Sequence, residues 1–495
     1  MDRSLKSNFG ARLFRRLSDK SDLIDAATGE MIRAAELPNR IKSCAAGFRT
    51  AGLLPGDRVV IACDVSPTST LAYLGALYAG LTVVPINERS LSTSGEAVFR
   101  MTNARALWSQ SPCDWARLHN VLQIHSHCQS AVALEPAPRR ENDLAALMLT
   151  SGSTGTPRLV QVTHGNLTAN TEAIIRSQRL STDERALLIL PINYCFGASV
   201  MHTHLYQGGG VVYDSRFMFA DKVLHSVERY GCTTFAGVPA VYNILLRRSN
   251  LRSIPLTPLR RFLQAGGALA PARIREMREA VPHAEFYAMY GQTEATSRIA
   301  CLPPDRLDEK LGSVGLPLDN LMVRIADESG KDLPDGHAGE IMVSGKSICR
   351  GYYEDPDETE RKFHDGWLAT GDLAWRDPDG FLWITGRKSE FVKMRGIRLG
   401  LTEIEARVEG TNGVCECAAQ IVEHAEAGEA VALYVVAEEG ALSHGVAAAI
   451  RRNVPSEWLI DSITLVAELP RNAHGKLQRS QLSSAPRRQP VSLQA

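Results

Sequence analysis

The chain has 495 residues, 44% hydrophobic and 22% charged. This composition belongs to a folded protein of two or three domains and excludes a mostly disordered chain. Lys+Arg 55 balance Asp+Glu 55, so no net field would hold nucleic acid or an anionic membrane. Only 11 of the 55 cations are Lys, which makes each Lys in a motif less accidental.

Met1–Leu17 is basic but lacks the apolar stretch of a secretory signal. Ten Cys between Cys44 and Cys417 show no C-x-x-C or zinc spacing, so they read as reduced thiols of a cytoplasmic protein. Val65–Asn87 is uncharged, but its Pro, Gly and hydroxyl residues predict helix, turn and strand rather than a membrane span. Short apolar runs then alternate with helix-length segments. Val59–Cys63, Ala145–Leu149, Ala186–Leu190, Val211–Tyr213, Thr233–Gly237, Arg261–Ala265 and Glu285–Met289 read as strands. Pro67–Ala79, His164–Arg176, Ala220–Tyr230 and Pro271–Ala280 read as helices. The alternation predicts an α/β protein with helix-flanked sheets, whose ligands sit at the carboxyl ends of strands.

After about Cys301 the pattern shifts to short strands between Gly/Pro/Asp turns, such as Val323–Ala326, Glu340–Val343 and Phe381–Ile384. Beyond Gly386-Arg387 a compact α+β unit follows, with helices Leu401–Val408 and Val446–Asn453 and strands Cys417–Val422, Ala430–Val436 and Ile463–Val466. The expected organisation is a large N-terminal domain over 1–387, containing a β-rich subdomain at about 301–385. A small mobile α+β domain over 388–495 would act as a lid.

Five motifs carry chemistry. Thr150-Ser151-Gly152-Ser153-Thr154-Gly155-Thr156-Pro157-Arg158 follows a strand and precedes the helix at His164; its backbone N–H groups and hydroxyls suit a polyphosphate. Alone, it is as easily a Ser/Gly turn. Gly345-Lys346-Ser347 is no Walker A loop, because Glu340 stands where the first Gly must be. Tyr290-Gly291-Gln292-Thr293-Glu294 joins a ring, a hydroxyl and a carboxylate fit for base, phosphate and Mg2+. Thr370-Gly371-Asp372 offers a carboxylate to ribose hydroxyls, though Gly-Asp turns are common. The fourth runs from Gly386 to Gly396 and closes with Glu403-Ile404-Glu405. The fifth, Pro470 to Leu477, carries Lys476 directly after Gly475 in the small domain.

In this order and spacing the five resemble the superfamily of AMP-forming acyl ligases, which includes acyl- and aryl-CoA synthetases, peptide-synthetase adenylation domains and luciferases. The resemblance covers almost the whole chain and implies roles by position. Thr150, Ser151, Gly152, Ser153, Thr154 and Gly155 would grip the ATP phosphates, assisted by Arg158 in place of the usual Lys. Gly266, Gly267 and Tyr290 would enclose adenine; Asp372 and Arg387 would hold the ribose. Thr293 would contact the α-phosphate and Glu294 would bind Mg2+. Lys476 would bridge the acid's carboxylate and the α-phosphate as they approach. Ser389, where Asp or Lys is common, would be the hinge, and Lys393 and Gly396 would line a thiol tunnel.

The acyl pocket implied by the resemblance contains Asn193, Tyr194, Cys195, Phe196, Gly197 and Gln264. Gly197 occupies the place of the Asp that holds an α-ammonium in amino-acid-activating relatives, so an aryl or medium-chain acid is expected rather than an α-amino acid. His202 and His204 read as helix residues beside the pocket, and Cys195 as a small apolar wall. The expected activity is ATP- and Mg2+-dependent acyl adenylate formation followed by transfer to CoA. The alternative acceptor is the phosphopantetheine of a carrier protein.

Overall fold

A computed structural model describes residues 7–125, 134–151, 157–388, 390–394, 397–424, 428–438, 443–455, 457–471 and 477–486. Among them, residues up to 317 build two large sheets. One has six strands, in the spatial order Leu122–His125, Ala106–Ser109, Arg58–Cys63, Thr82–Asn87, Leu144–Ser151 and Pro157–Thr163. The other has nine, with a parallel centre running through Glu285–Tyr290, Arg261–Gln264, Thr234–Gly237, Arg185–Leu188, Gly210–Tyr213 and Leu23–Asp25.

Local chemistry sets the helices between them. Ser66 caps the helix Pro67–Tyr78 by accepting from Ser69 N, and Pro67 opens its first turn. That helix is buried on nearly every side, which explains why it carries no charge. Thr163 and Asn166 form a reciprocal capping box at the start of His164–Ser177. Asn166 then reaches the Lys346 and Ile348 carbonyls, tying this helix to the β-rich part. Ala220–Tyr230 ends at Gly231, whose φ of 63° is the left-handed cap that glycine adopts freely.

The predicted strands and helices recur with boundaries shifted by a few residues. One element changes how the first motif is placed. The Thr150–Arg158 segment does not lead directly into the helix at His164. An antiparallel strand, Pro157–Thr163, intervenes, and Thr150 stands opposite Arg158 across that hairpin.

The β-rich part is a five-stranded antiparallel sheet of Leu321–Ala326, Gly339–Gly345, Phe363–His364, Trp367–Arg376 and Leu382–Arg387. Residues from 391 onward form a hairpin, Phe391–Met394 with Ile397–Gly400, and a three-stranded sheet flanked by helices Leu401–Glu409 and Ser443–Asn453. Val392, Ile404, Val408, Leu433 and Ile450 pack in a core of their own, separate from the large cluster of the N-terminal sheets.

Candidate active site

Four neighbouring strands of the nine-stranded sheet, Glu285–Tyr290, Arg261–Gln264, Thr234–Gly237 and Arg185–Leu188, deliver the site. Their carboxyl ends carry Gly291–Glu294, Ala265–Gly267, Val238 and Pro191–Tyr194 side by side, where a parallel sheet exposes its ligand loops. Gly266 adopts φ +84°, and a Cβ on it would lie 2.5 Å from the Tyr194 hydroxyl. The loop expected around adenine therefore touches the segment expected around the acid. Gln264, the last residue of its strand, is buried and donates to the Gly267 carbonyl at 2.8 Å.

Asp372 and Arg387 face each other across antiparallel strands, and Arg387 Nε donates to Asp372 Oδ1 at 3.0 Å. The Tyr290 hydroxyl donates to the other oxygen, Oδ2, at 2.5 Å. Burial first, and then the adjacent carboxylate, push the Tyr290 phenol far above its ordinary range, so it stays a donor. The Asp372 carboxylate in turn raises the Arg387 pKa.

The second motif folds back sharply. A Cβ on Gly291 would sit 1.8 Å from the Ser297 carbonyl oxygen, so only glycine permits this approach. The short turn Thr293–Ala295 closes at Thr296, whose φ of 66° is unusual for a β-branched residue; its hydroxyl bonds the Ser347 carbonyl at 2.7 Å. Thr293 Oγ1 reaches Cys195 Sγ at 3.5 Å. Burial raises the Cys195 pKa, so it remains a thiol. Glu294 Oε1 accepts from the Tyr352 hydroxyl at 2.7 Å, and its Oε2 makes no hydrogen bond or ion pair among the described residues.

Arg158 lies over the Tyr352 ring at 5.7 Å and pairs with Asp355 and Glu358, each at 3.3 Å. It is thus anchored to the β-rich part beside Glu294. Thr150, one residue before the end of its strand, stands opposite it. The side chain of Ser151 and residues Gly152, Ser153, Thr154 and Gly155 lie outside the described residues, as do Ser389, Gly396, Lys476 and the side chain of Lys393.

Around the expected acyl pocket, Asn193 is buried with Oδ1 unpaired, and Tyr194 stands edge-on to Phe196 at 6.3 Å. Gly197 departs from its expected orientation. Its Cβ direction meets the Pro191 and Leu190 carbonyl oxygens at 2.4 and 2.9 Å, so it packs the helix onto backbone rather than facing an open pocket. His202 sits edge-on to Phe9 at 4.9 Å, and His204 Nδ1 bonds the Val200 carbonyl at 2.8 Å. Burial lowers their pKa values to about 3 and about 4, so both are neutral core imidazoles.

Two cations were missed by the sequence reading. Lys362 Nζ donates to the Ala369 and Thr370 carbonyls, both at 3.2 Å, beneath Gly371. Burial lowers its pKa, opposed by the charges of Glu294 and Asp372. Its signal was present, since it is one of 11 Lys and lies ten residues before Asp372. Arg298 is buried next to Tyr194, Cys195 and Phe196. Among 44 arginines nothing distinguished it.

Residues 14–353 match the description AMP-binding enzyme, and 403–476 match the AMP-binding enzyme C-terminal domain. The chain belongs to the AMP-binding enzyme family. It is 32% identical over 472 residues to a feruloyl-CoA synthase of Amycolatopsis sp, covering 92% of this chain and 94% of that protein. MatB from Rhodopseudomonas palustris, solved with ATP bound, shares its fold with a TM-score of 0.87 at 28% identity, covering 97% of this chain and 98% of that one. The o-succinylbenzoate CoA synthetase of Bacillus subtilis, solved with its acyl-adenylate intermediate, gives 0.84 at 26% identity, covering 96% and 98%. This AMP-binding enzyme is an AMP-forming acid–thiol ligase. It activates a carboxylic acid with ATP as an acyl adenylate and passes the acyl group to the thiol of CoA. No described helix is long and apolar enough to cross a membrane.

Proposed function

We propose that the acid is aryl or medium-chain rather than an α-amino acid, and that the residues gathered at the sheet edge divide the work as follows. Tyr290, Gly266 and Gly267 enclose adenine. Asp372 holds the ribose hydroxyls: a carboxylate offers about four acceptor positions, and Tyr290 and Arg387 occupy only two. Thr150 to Gly155 wrap the β- and γ-phosphates, with Arg158 stiffening the hairpin and Thr293 on the α-phosphate. Glu294 would hold Mg2+, a hard cation suited to its unpaired carboxylate oxygen, whose charge offsets that of the phosphates when bound.

The carboxylate oxygen of the acid attacks the α-phosphorus, and pyrophosphate leaves. Lys476 spans the two anions and reduces their repulsion. The thiol sulfur then attacks the acyl carbonyl and AMP leaves. Ser389 serves as hinge of a lid domain that begins at 388, and Lys393 and Gly396 line the thiol's path. The observation that carries this reading is the approach of Tyr194 to Gly266, which sets acid and nucleotide segments against one another.

Pyrophosphate release with acid panels, with and without CoA, tests it. Lys476→Ala should abolish adenylate formation and spare thioester formation from supplied acyl adenylate. Equal loss of both steps would remove Lys476 from the role. Discharge of the adenylate by a holo carrier protein but not by CoA would replace the acceptor and make an acyl carrier protein the partner.

A further inference from the structure

Arg298 is 2% exposed, and its Nε and Nη1 have no hydrogen-bond partner. No carboxylate pairs with it among the described residues. The groups facing it are Tyr194, Cys195 and Cys301, and burial keeps all three neutral. Its guanidinium lies over the Phe196 ring at 5.0 Å. A guanidinium stays protonated even when buried, and a buried charge without a counter-ion is costly. A methionine would fill this volume at no such cost.

The backbone fixes this arginine in place. Asn170 holds it on both sides, donating to the Arg298 carbonyl at 3.0 Å and accepting from the Arg298 N–H at 3.3 Å. The turn that delivers it begins at Thr293, which touches Cys195, and doubles back over Gly291. The cation is therefore built into the wall formed by Tyr194, Cys195 and Phe196.

We propose that Arg298 is the counter-charge for a second anionic group on the acid, a carboxylate or sulfonate remote from the reacting carboxylate. The inference rests on the acyl-pocket reading given above and narrows it: the substrate class is a dianionic acid activated at one end. A planar fork of donors fits either oxyanion, and docking it supplies the missing partners of Nε and Nη1. A monoanionic acid of the same shape, without the distal charge, would leave the guanidinium buried and unpaired, and would be discriminated against on that ground.

The test is pyrophosphate release by the full-length wild-type enzyme on matched acids: benzoate against its 4-carboxylate and 4-sulfonate, and hexanoate against hexanedioate and 6-sulfohexanoate. We expect the distal anion to be preferred by at least about tenfold in kcat/KM in one of the two series. The carboxylate and sulfonate arms report which oxyanion is used. Arg298→Met should collapse the preference and Arg298→Lys should keep part of it, with the melting temperature checked for both. Monoanionic acids used as well as their dianionic partners by the wild type would overturn the subsite and leave the ligase reading intact. An equal loss on monoanionic and dianionic acids in Arg298→Met would also overturn it, placing Arg298 on the reacting carboxylate instead. No acid-dependent release from any compound in either series would overturn the acid-class reading together with the subsite.

Discussion

Tyr290 donates its hydroxyl to Asp372 across 82 positions of sequence, at 2.5 Å and away from solvent. The bond joins the nine-stranded sheet to the β-rich sheet and leaves Asp372 in one orientation, with Arg387 on its other oxygen. Tyr290→Phe keeps the ring and removes the bond. The variant should lose about 1–2 kcal/mol of stability. Its KM for ATP should rise several-fold while kcat changes less, because the carboxylate proposed to hold the ribose is no longer fixed. Thermal unfolding and ATP saturation curves check this; an unchanged KM for ATP would remove the bond from nucleotide binding.

Tyr352 links two other parts of the site. Its hydroxyl reaches Glu294, and its ring carries the Arg158 guanidinium. Burial and the Glu294 charge both raise its pKa, so it donates throughout the working range. Tyr352→Phe frees the Glu294 carboxylate to swing. The Mg2+ concentration giving half-maximal pyrophosphate release should increase several-fold, with little change in acid specificity. Titrating Mg2+ against both proteins decides the matter, and superimposable curves would count against the assigned role of Glu294.

The strand-and-helix alternation was legible because buried parallel strands read as short apolar runs, and the motifs fell at their ends as such sheets require. The strand Pro157–Thr163 was hidden because it sits between a Gly-rich loop and a helix, and turn chemistry dominates that stretch. Gly197 was legible as a glycine but not as a packing glycine. Its constraint comes from the Leu190 and Pro191 carbonyls, and which way a missing Cβ points is a tertiary fact. Lys362 and Arg298 stayed invisible for a related reason. A cation gains meaning from what does or does not surround it, and the surroundings of Arg298 come from residues more than 90 positions away as well as nearby ones.

Glu409 supplies a pH prediction. It is half-buried in the small domain, and its pKa is pushed up to about 8, chiefly by desolvation of its carboxylate. A hydrogen bond from Cys417 N and the charge of Arg471 oppose the shift, while Glu405 and Glu416 reinforce it. A folded-state pKa above the unfolded value means that the native state holds the proton more tightly. Stability from this group is therefore intact below about pH 4.5 and declines as pH rises toward about 8. Glu409→Gln removes the titration. It should stabilise the protein at pH 8 by about 1–3 kcal/mol relative to wild type and by much less at pH 5. Denaturant unfolding at the two pH values checks the sign; an equal effect at both would mean that Glu409 does not titrate in this window.

Glu416 stands between the two parts of the chain. Oε1 accepts from Asn243 of the nine-stranded region at 3.0 Å, and Oε2 accepts from Arg471 Nη2 at 3.0 Å. Arg273 reinforces the contact by donating to the Val414 carbonyl at 3.4 Å. Arg471 pairs with Leu477, and Gln478 N donates to the Pro470 carbonyl at 2.8 Å, so these residues close the base of the segment that carries Lys476. Glu416 thereby couples the seating of the small domain to the anchoring of that segment. Glu416→Ala should slow pyrophosphate release by about tenfold, equivalent to roughly 1.4 kcal/mol. Thioester formation from supplied acyl adenylate should stay within about twofold, because Lys476 is proposed to act only in adenylate formation. Glu416→Gln retains an acceptor for Asn243 and loses only the charge, so it should fall between the two. Measuring the half-reactions separately is essential. A uniform loss in both would make Glu416 a folding residue, whereas the split places it in the positioning of Lys476.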